Sequence, residues 1–408
     1  MSPELPFPLP ATTPPTSDAD DAPAVRLLAE TLARASQLGA SDIHVEPGDG
    51  VWRLRFRIDG VLHEASAPPL HLRDAFVTRV KVLAKLDIAE RRLPQDGRLR
   101  LAFSADAPQD YRVSSLPTIF GEKLVLRRMQ ALPADLSLAA LGFDARQRQA
   151  VEAAIRAPHG LILVTGPTGS GKTLSLYCFL QMLNTASRNI CTVEDPVEIQ
   201  LAGINQVNVR DKTGLTFATA LRALLRQDPD VIMIGEIRDG ETADVAVKAA
   251  QTGHLVLSTL HTNDAPSAIA RLIDIGVAPL NIATALRLVT AQRLVRRLCP
   301  ACAVRAAASP AQLLAAGFGE AEIGDWAPVS APGCEACHGF GYRGRVGVHQ
   351  IMPVSVAMRE SIVARASNAI LTRQARSEGV ATLRRAALDR VREGVTSLAE
   401  AIASTEVQ

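Results

Sequence analysis

Residues 166–173 read Gly-Pro-Thr-Gly-Ser-Gly-Lys-Thr. An apolar run, Gly160-Leu-Ile-Leu-Val-Thr165, precedes them and reads as a buried strand, and residues 173–184 read as a helix. The octet fits G-x-x-x-x-G-K-T, a phosphate-binding loop, and that context fixes much of what the chain can fold into. Glycines let backbone N–H groups curl round an anion without a side-chain clash. The following helix turns its positive end toward the phosphates. Lys172 is placed to reach the β- and γ-phosphates, and Thr173 to offer a hydroxyl to Mg²⁺. Gly166, Pro167, Thr168, Gly169, Ser170 and Gly171 complete the expected ATP-binding set.

The surrounding chain supports this reading. Residues 189–193, 231–234 and 255–260 are further short apolar runs separated by helical segments. Such alternation predicts an α/β domain with a mostly parallel sheet covered on both faces. Upstream, Val51-Trp-Arg-Leu-Arg-Phe-Arg-Ile58 alternates as a strand, and Asp59-Gly60 is a hairpin turn. Residues 98–103, 110–115 and 123–128 read as further strands, and 25–36 and 70–86 as helices. At 408 residues the chain is too long for one core. The expected division is a proline-rich disordered arm (1–25), a small α+β domain (26–130), a linker (131–145), the nucleotide-binding core (146–298), a cysteine-containing subdomain (299–345) and a helical C-terminal region (346–408). The arm holds seven prolines and four acidic residues.

Hydrolysis needs more than a phosphate loop. Glu236 follows the run Val231–Ile234, at the carboxyl end of a strand, where open α/β sheets bind ligands. A carboxylate there can orient water and support the metal's water shell. Thr192-Val-Glu-Asp-Pro-Val-Glu198 adds Glu194, Asp195 and Glu198, which approach the same site if their strand neighbours the phosphate-loop strand. His261 ends another strand and can sense the γ-phosphate, with His254 at the other end of that run as the alternative.

Cys299-Pro-Ala-Cys302 and Cys334-Glu-Ala-Cys337 stand 31 residues apart. Two Cys-x-x-Cys pairs make a tetrahedral thiolate site for structural Zn²⁺, with no open position for chemistry. The start of the chain lacks the basic and apolar regions of a signal peptide, and no apolar run approaches the roughly 20 residues that span a bilayer. A cytoplasmic protein without direct membrane insertion is expected. A net charge of +2 and only 4% aromatic residues speak against a nucleic-acid partner.

Together these motifs resemble the secretion ATPase family that drives type IV pilus assembly and type II secretion. The resemblance runs from about residue 26 to the end. It is carried by the phosphate loop, by Val193-Glu-Asp-Pro-Val-Glu198, by Leu225-Arg-Gln-Asp-Pro-Asp with Gly235-Glu-Ile-Arg-Asp239, by Thr252-Gly-His with Leu260-His-Thr-Asn263, and by the four cysteines. Ser41-Asp-Ile-His-Val-Glu46, Leu93-Pro-Gln-Asp-Gly97 and Arg112-Val-Ser-Ser-Leu-Pro117 resemble the family's second N-terminal domain. The resemblance implies a RecA-like motor domain, a PAS-like N-terminal domain and a homohexameric ring. It also implies association with the inner membrane through a platform protein and other pilus or secretion machinery. By the same resemblance, Arg112 and Arg127 reach nucleotide from the N-terminal domain, and Arg222 and Arg226 complete the site. Guanidinium groups so used are worth on the order of 10³–10⁵ in rate. Gly203-Ile-Asn-Gln-Val-Asn208 leans toward pilus assembly. A pseudopilus secretion motor and a RecA-like nucleic-acid translocase are the alternatives. Many family members carry a further N-terminal domain, where this sequence shows the proline-rich arm.

Overall fold

The computed structural model describes residues 23–101, 109–129, 132–324 and 326–405. The arm assigned to 1–25 lies outside the described residues up to position 22, as do positions 102 and 103 of the expected strand 98–103. The chain divides into two units: residues 1–131 with 299–303 and 331–344, and residues 132–298 with 304–330 and 345–408.

The first unit opens with α1 (Pro23–Gln37), two residues earlier than the sequence pattern indicates. Leu28, Leu32 and Ala35 form its buried stripe at helical spacing. Strands β1 (Asp42–Pro47), β2 (Trp52–Ile58) and β3 (Val61–Ser66) follow. Asp59 and Gly60 both take positive φ, as a two-residue hairpin requires. After α2 (Arg73–Leu83) come β4 (Gln95–Leu101), β5 (Gln109–Thr118) and β6 (Gly121–Arg128). The six strands form one antiparallel sheet, ordered β3-β2-β1-β6-β5-β4. Ile43, Val45, Leu54, Phe56, Val113, Leu124 and Leu126 point into one core with α1 and α2. The opposite face carries charge: Asp42 pairs in register with Arg57 and Arg127, and Glu46 with Arg53. Lys81 of α2 is 1% exposed and donates to Glu122 and to the Glu90 carbonyl, both at 2.7 Å.

The second unit begins with a connection that is more than a linker, because Leu138 and Phe143 are buried in its core. Asp144 then caps α3 (Ala145–Ile155) with a reciprocal Gln147 bond. The alternating elements are β7 (Gly160–Thr165), α4 (Lys172–Leu183), β8 (Ile190–Glu194), β9 (Asn205–Asn208), α5 (Phe217–Leu224), β10 (Val231–Ile234), α6 (Gly240–Gln251), β11 (Leu255–Leu260), α7 (Ala265–Asp274) and α8 (Pro279–Ala285). A long strand, β12 (Leu286–Leu298), follows, then two-residue strands β13 (Val304–Arg305) and β14 (Val329–Ser330) flanking α9 (Pro310–Ala316). β15 (Tyr342–Pro353) and helices α10 (Val356–Val363), α11 (Asn368–Ser377), α12 (Leu383–Arg392) and α13 (Leu398–Ser404) close the chain.

The main sheet is ordered β15-β12-β7-β11-β10-β8-β9. Six of its strands, from β12 to β9, run parallel. Apolar clusters bury both of its faces, as a parallel sheet with helices on each side must. The region after 345 is largely helical, once β15 has run to Pro353. The 31-residue excursion is not one cysteine subdomain. Leu313, Ala316 and Phe318 on and after α9 join the second unit's core, so only 299–303 and 331–344 stay with the cysteines. Apolar residues on both faces of a buried strand hide its period, which is why β12 and β15 escape a pattern search.

Candidate active site

Strands β7, β11, β10 and β8 are parallel and in register, so Thr165, Leu260, Ile234 and Glu194 end along one edge of the sheet. The phosphate loop leaves β7 at that edge and enters α4 at Lys172. Gly166 and Gly171 have φ of 149° and 88°. A Cβ on Gly166 would meet the Gln292 carbonyl at 2.5 Å, and one on Gly171 the Gln292 amide nitrogen at 2.8 Å. Both positions therefore demand glycine on conformation and on space. The Lys172 ammonium donates to the carbonyls of Gly166 and Pro167 at 2.8 and 3.0 Å. Burial lowers its pKa, and the charge of Glu236 partly offsets this. Thr173 is exposed in the first turn of α4. The curled backbone, the lysine and the exposed hydroxyl fit a nucleotide phosphate with Mg²⁺.

Glu236 stands two residues beyond β10, across β11 from the loop. Thr259 and Ser258 of β11 donate to the carbonyls of Gly235 and Ile234 at 2.7 and 2.9 Å and fix that turn. The Glu236 carboxylate accepts from the Arg238 guanidinium and faces His261 Nε2 at 3.4 Å. Burial alone would raise its pKa, but Arg238 and His261 outweigh this and hold it below the usual carboxylate range. Arg238 also reaches Asp195 at 3.5 Å and lies over the Phe217 ring. Glu236, His261, Asp195 and Arg238 therefore form one charged cluster beside the loop lysine.

The other predicted residues divide. β8 does not neighbour β7; β11 and β10 stand between them, a separation of roughly 14 Å at ordinary strand spacing. Glu194 is nevertheless tied to the loop's helix. It is 3% exposed and accepts from the hydroxyls of Tyr177 (2.5 Å) and Thr192 (2.6 Å) and from Gln206 (3.1 Å). Glu198 is exposed beyond β8. His254 directly precedes β11, at the opposite edge of the sheet, with Nδ1 on the Ala249 carbonyl at 3.1 Å, so it takes no part. Arg222 pairs with Glu241 at 2.7 Å, and Arg226 donates to the Arg222 carbonyl. In the first unit, Arg112 and Arg127 sit opposite each other on β5 and β6. Like charges in that register repel, and Asp42 offsets the repulsion by holding Arg127 Nε at 2.8 Å.

The structure adds residues that the sequence reading passed over. Arg238 lay inside a quoted motif but drew no role. Thr165, the last residue of β7, bonds the Thr262 amide (2.9 Å) and shares a hydroxyl contact with it (2.6 Å), joining the His261 segment to the loop strand. Tyr177 and Gln292 carry no local signal at all. Asp239, at the end of Gly235-Glu-Ile-Arg-Asp239, and Asp264, just after Asn263, are helix caps for α6 and α7.

The four cysteine Sγ atoms all lie within 4.8 Å of one another. Adjacent S···S distances are 3.7–3.9 Å. A tetrahedral Zn²⁺ with bonds of about 2.3 Å sets sulfurs about 3.8 Å apart, so the donor set fits zinc. Cys337 Sγ accepts the N–H groups of Cys334 and Gly341 at 3.2 Å, which favours thiolate. Around this cluster Phe340 packs on the first unit's core and over His63, ring centroids 4.4 Å apart, and Gly344 N–H donates to Asp59 at 2.7 Å. Among the described residues, no helix is long and apolar enough to cross a membrane.

Residues 17–403 match the family described as type II/IV secretion system protein. The chain is 50% identical over 388 residues to the type IV pilus assembly ATPase PilB of Myxococcus xanthus, covering 95% of this chain and 69% of that protein. It is 46% identical over 387 residues to the type II secretion system ATPase E of Vibrio cholerae, covering 95% and 76%. The chain thus spans about two thirds of the length of its pilus relatives. The crystal structure of the pilus retraction motor PilT with bound ADP aligns at TM-score 0.60 and 26% identity, covering 92% of this chain and 96% of that one. The ATPase DotB of Legionella pneumophila aligns at 0.68 and 20% identity, covering 95% and 97%, and shares the fold. The chain belongs to the type II/IV secretion system protein family, and it is an ATPase of that family.

Proposed function

We propose that the chain is the ATPase motor of type IV pilus assembly, working on the cytoplasmic side of the inner membrane as a homohexamer. The carrying observation is the single edge of the sheet where Lys172, Glu236 and His261 converge. The phosphate loop and Lys172 hold ATP, Thr173 holds its Mg²⁺, and Glu236 positions the attacking water. Asp195, Glu198 and His261 shape the field around it. Arg222 and Arg226, held by Glu241 and the Arg222 carbonyl, fit a role at a neighbouring protomer's nucleotide. Arg112 and Arg127 fit the same kind of role from the N-terminal sheet, since a repulsive register is kept there at the cost of a compensating Asp42. The four cysteines hold structural Zn²⁺. The work of the cycle passes to a membrane platform protein and so to pilin-like subunits. Identity of 48–50% to pilus assembly ATPases favours this reading. Identity of 46–47% to type II secretion proteins supports a pseudopilus motor as the second.

Deleting the gene separates the two: loss of surface pili with normal enzyme export supports pilus assembly, and the reverse supports secretion. Light scattering with nucleotide should give six times the mass of the 43.4 kDa chain. A persistent monomer at working concentration contradicts the ring.

A further inference from the structure

We propose that Gln292 is the positioning residue that sets the shape of the phosphate loop, and thereby the ATP affinity of the site. The proposal rests on the reading of Gly166–Thr173 as the ATP site. Gln292 lies on β12, beside β7, and is 3% exposed. A buried amide must find partners for its donors and its acceptor or lose their hydration without return. Here the oxygen accepts from Ser175 Oγ at 2.7 Å, and the nitrogen donates to the Ser170 carbonyl at 2.7 Å. One side chain thus joins the loop backbone, the first turn of α4 and the neighbouring strand.

The bond to Ser170 has a direct consequence for phosphate binding. The carbonyl of Ser170 and the N–H of Gly171 belong to one planar trans peptide and point in opposite directions. Pinning the carbonyl to Gln292 turns the Gly171 N–H away from β12, the orientation an anion in the loop needs. The absent side chains of Gly166 and Gly171 let loop and strand approach this closely. The next residue, Arg293, bonds the Asn263 side chain at 2.9 Å, so β12 holds the His261 segment as well.

The test uses the full chain, with ADP binding by calorimetry and steady-state ATP turnover. Gln292→Leu is expected to raise the ADP Kd and the ATP KM at least tenfold, with kcat at saturation within about threefold. Gln292→Glu still accepts from Ser175 but cannot donate to Ser170, and is expected to weaken binding at least as much. Ser175→Ala spares the Ser170 bond and is expected to change Kd less than about threefold. Should the leucine variant fail to fold, the contrast between the glutamate and Ser175→Ala variants gives the answer. A folded Gln292→Glu protein with wild-type Kd and KM overturns the proposal, as does a lowered melting temperature with unchanged binding. A wild-type protein that binds no ADP would instead overturn the ATP-site reading beneath it.

Discussion

The Tyr177 hydroxyl donates to the Glu194 carboxylate at 2.5 Å, tying the helix of the phosphate loop to a strand three places along the sheet. Burial, reinforced by that carboxylate, pushes the Tyr177 pKa up, so the hydroxyl keeps its proton. With Thr192 and Gln206 also donating, both Glu194 oxygens accept hydrogen bonds, and the role proposed for Glu194 is an anchor rather than a base. Tyr177 bonds Oε2 and Thr192 bonds Oε1, so Glu194→Gln keeps an acceptor for only one of the two hydroxyls; it is expected to cost stability while turnover stays within about threefold. Tyr177→Phe is expected to cost about 1–3 kcal/mol of stability by stripping a buried carboxylate of a donor. Urea denaturation and phosphate release measure the two effects. Glu194→Gln protein that is folded but inactive would return Glu194 to the reacting groups.

Lys81 and Glu122 make a second buried test. Their side chains are 1% and 8% exposed. Removing one partner leaves the other charge buried, so Lys81→Ala is expected to destabilise the N-terminal unit by about 3–5 kcal/mol. Lys81→Met with Glu122→Gln should recover much of that loss, read by denaturant midpoints. Equal losses in the single and double variants would contradict the pairing.

His349 makes the stability pH-dependent. It is fully buried, stacked on Phe143 at 3.7 Å, with Nε2 on the Leu141 carbonyl and Nδ1 without a partner. Burial lowers its pKa to about 4, below the 6.5 of an exposed histidine. The folded state therefore resists protonation while the unfolded chain accepts it. The contribution is complete above pH 6.5 and is lost as pH falls toward 4, by roughly 3 kcal/mol at most. His349→Gln should flatten that part of a stability–pH curve, and an unchanged slope would contradict the assignment.

Freshly purified protein is expected to carry one zinc per chain, measured by atomic emission. Cys302→Ser, which removes one of four ligands, should lower zinc content and the melting temperature together. Zinc near zero in wild-type protein would contradict the metal assignment.

The phosphate loop, its strand and its helix were legible because each step of the motif has a local physical cause. The same is true of the Asp59-Gly60 hairpin and of Glu236 at the end of β10. What could not be read was non-local. The strand order that sets β8 three places from β7 depends on packing between segments. Gln292 lies 122 residues beyond Ser170, the loop residue it bonds, with no periodicity to single it out. β12 and β15 are buried on both faces, so they carry no alternating pattern. The direction of β11 in the sheet, which sets His261 beside the loop edge and His254 at the opposite one, likewise depends on packing between segments.

In the proposed site Glu236, beside the loop lysine, carries hydrolysis while Lys172 and the loop carry binding. The most direct measurement is phosphate release by Glu236→Gln protein, alongside its ADP affinity. The account predicts ADP binding close to wild type with turnover reduced at least 100-fold, and loss of both in Lys172→Ala. Wild-type turnover in Glu236→Gln, with the fold intact, would contradict it.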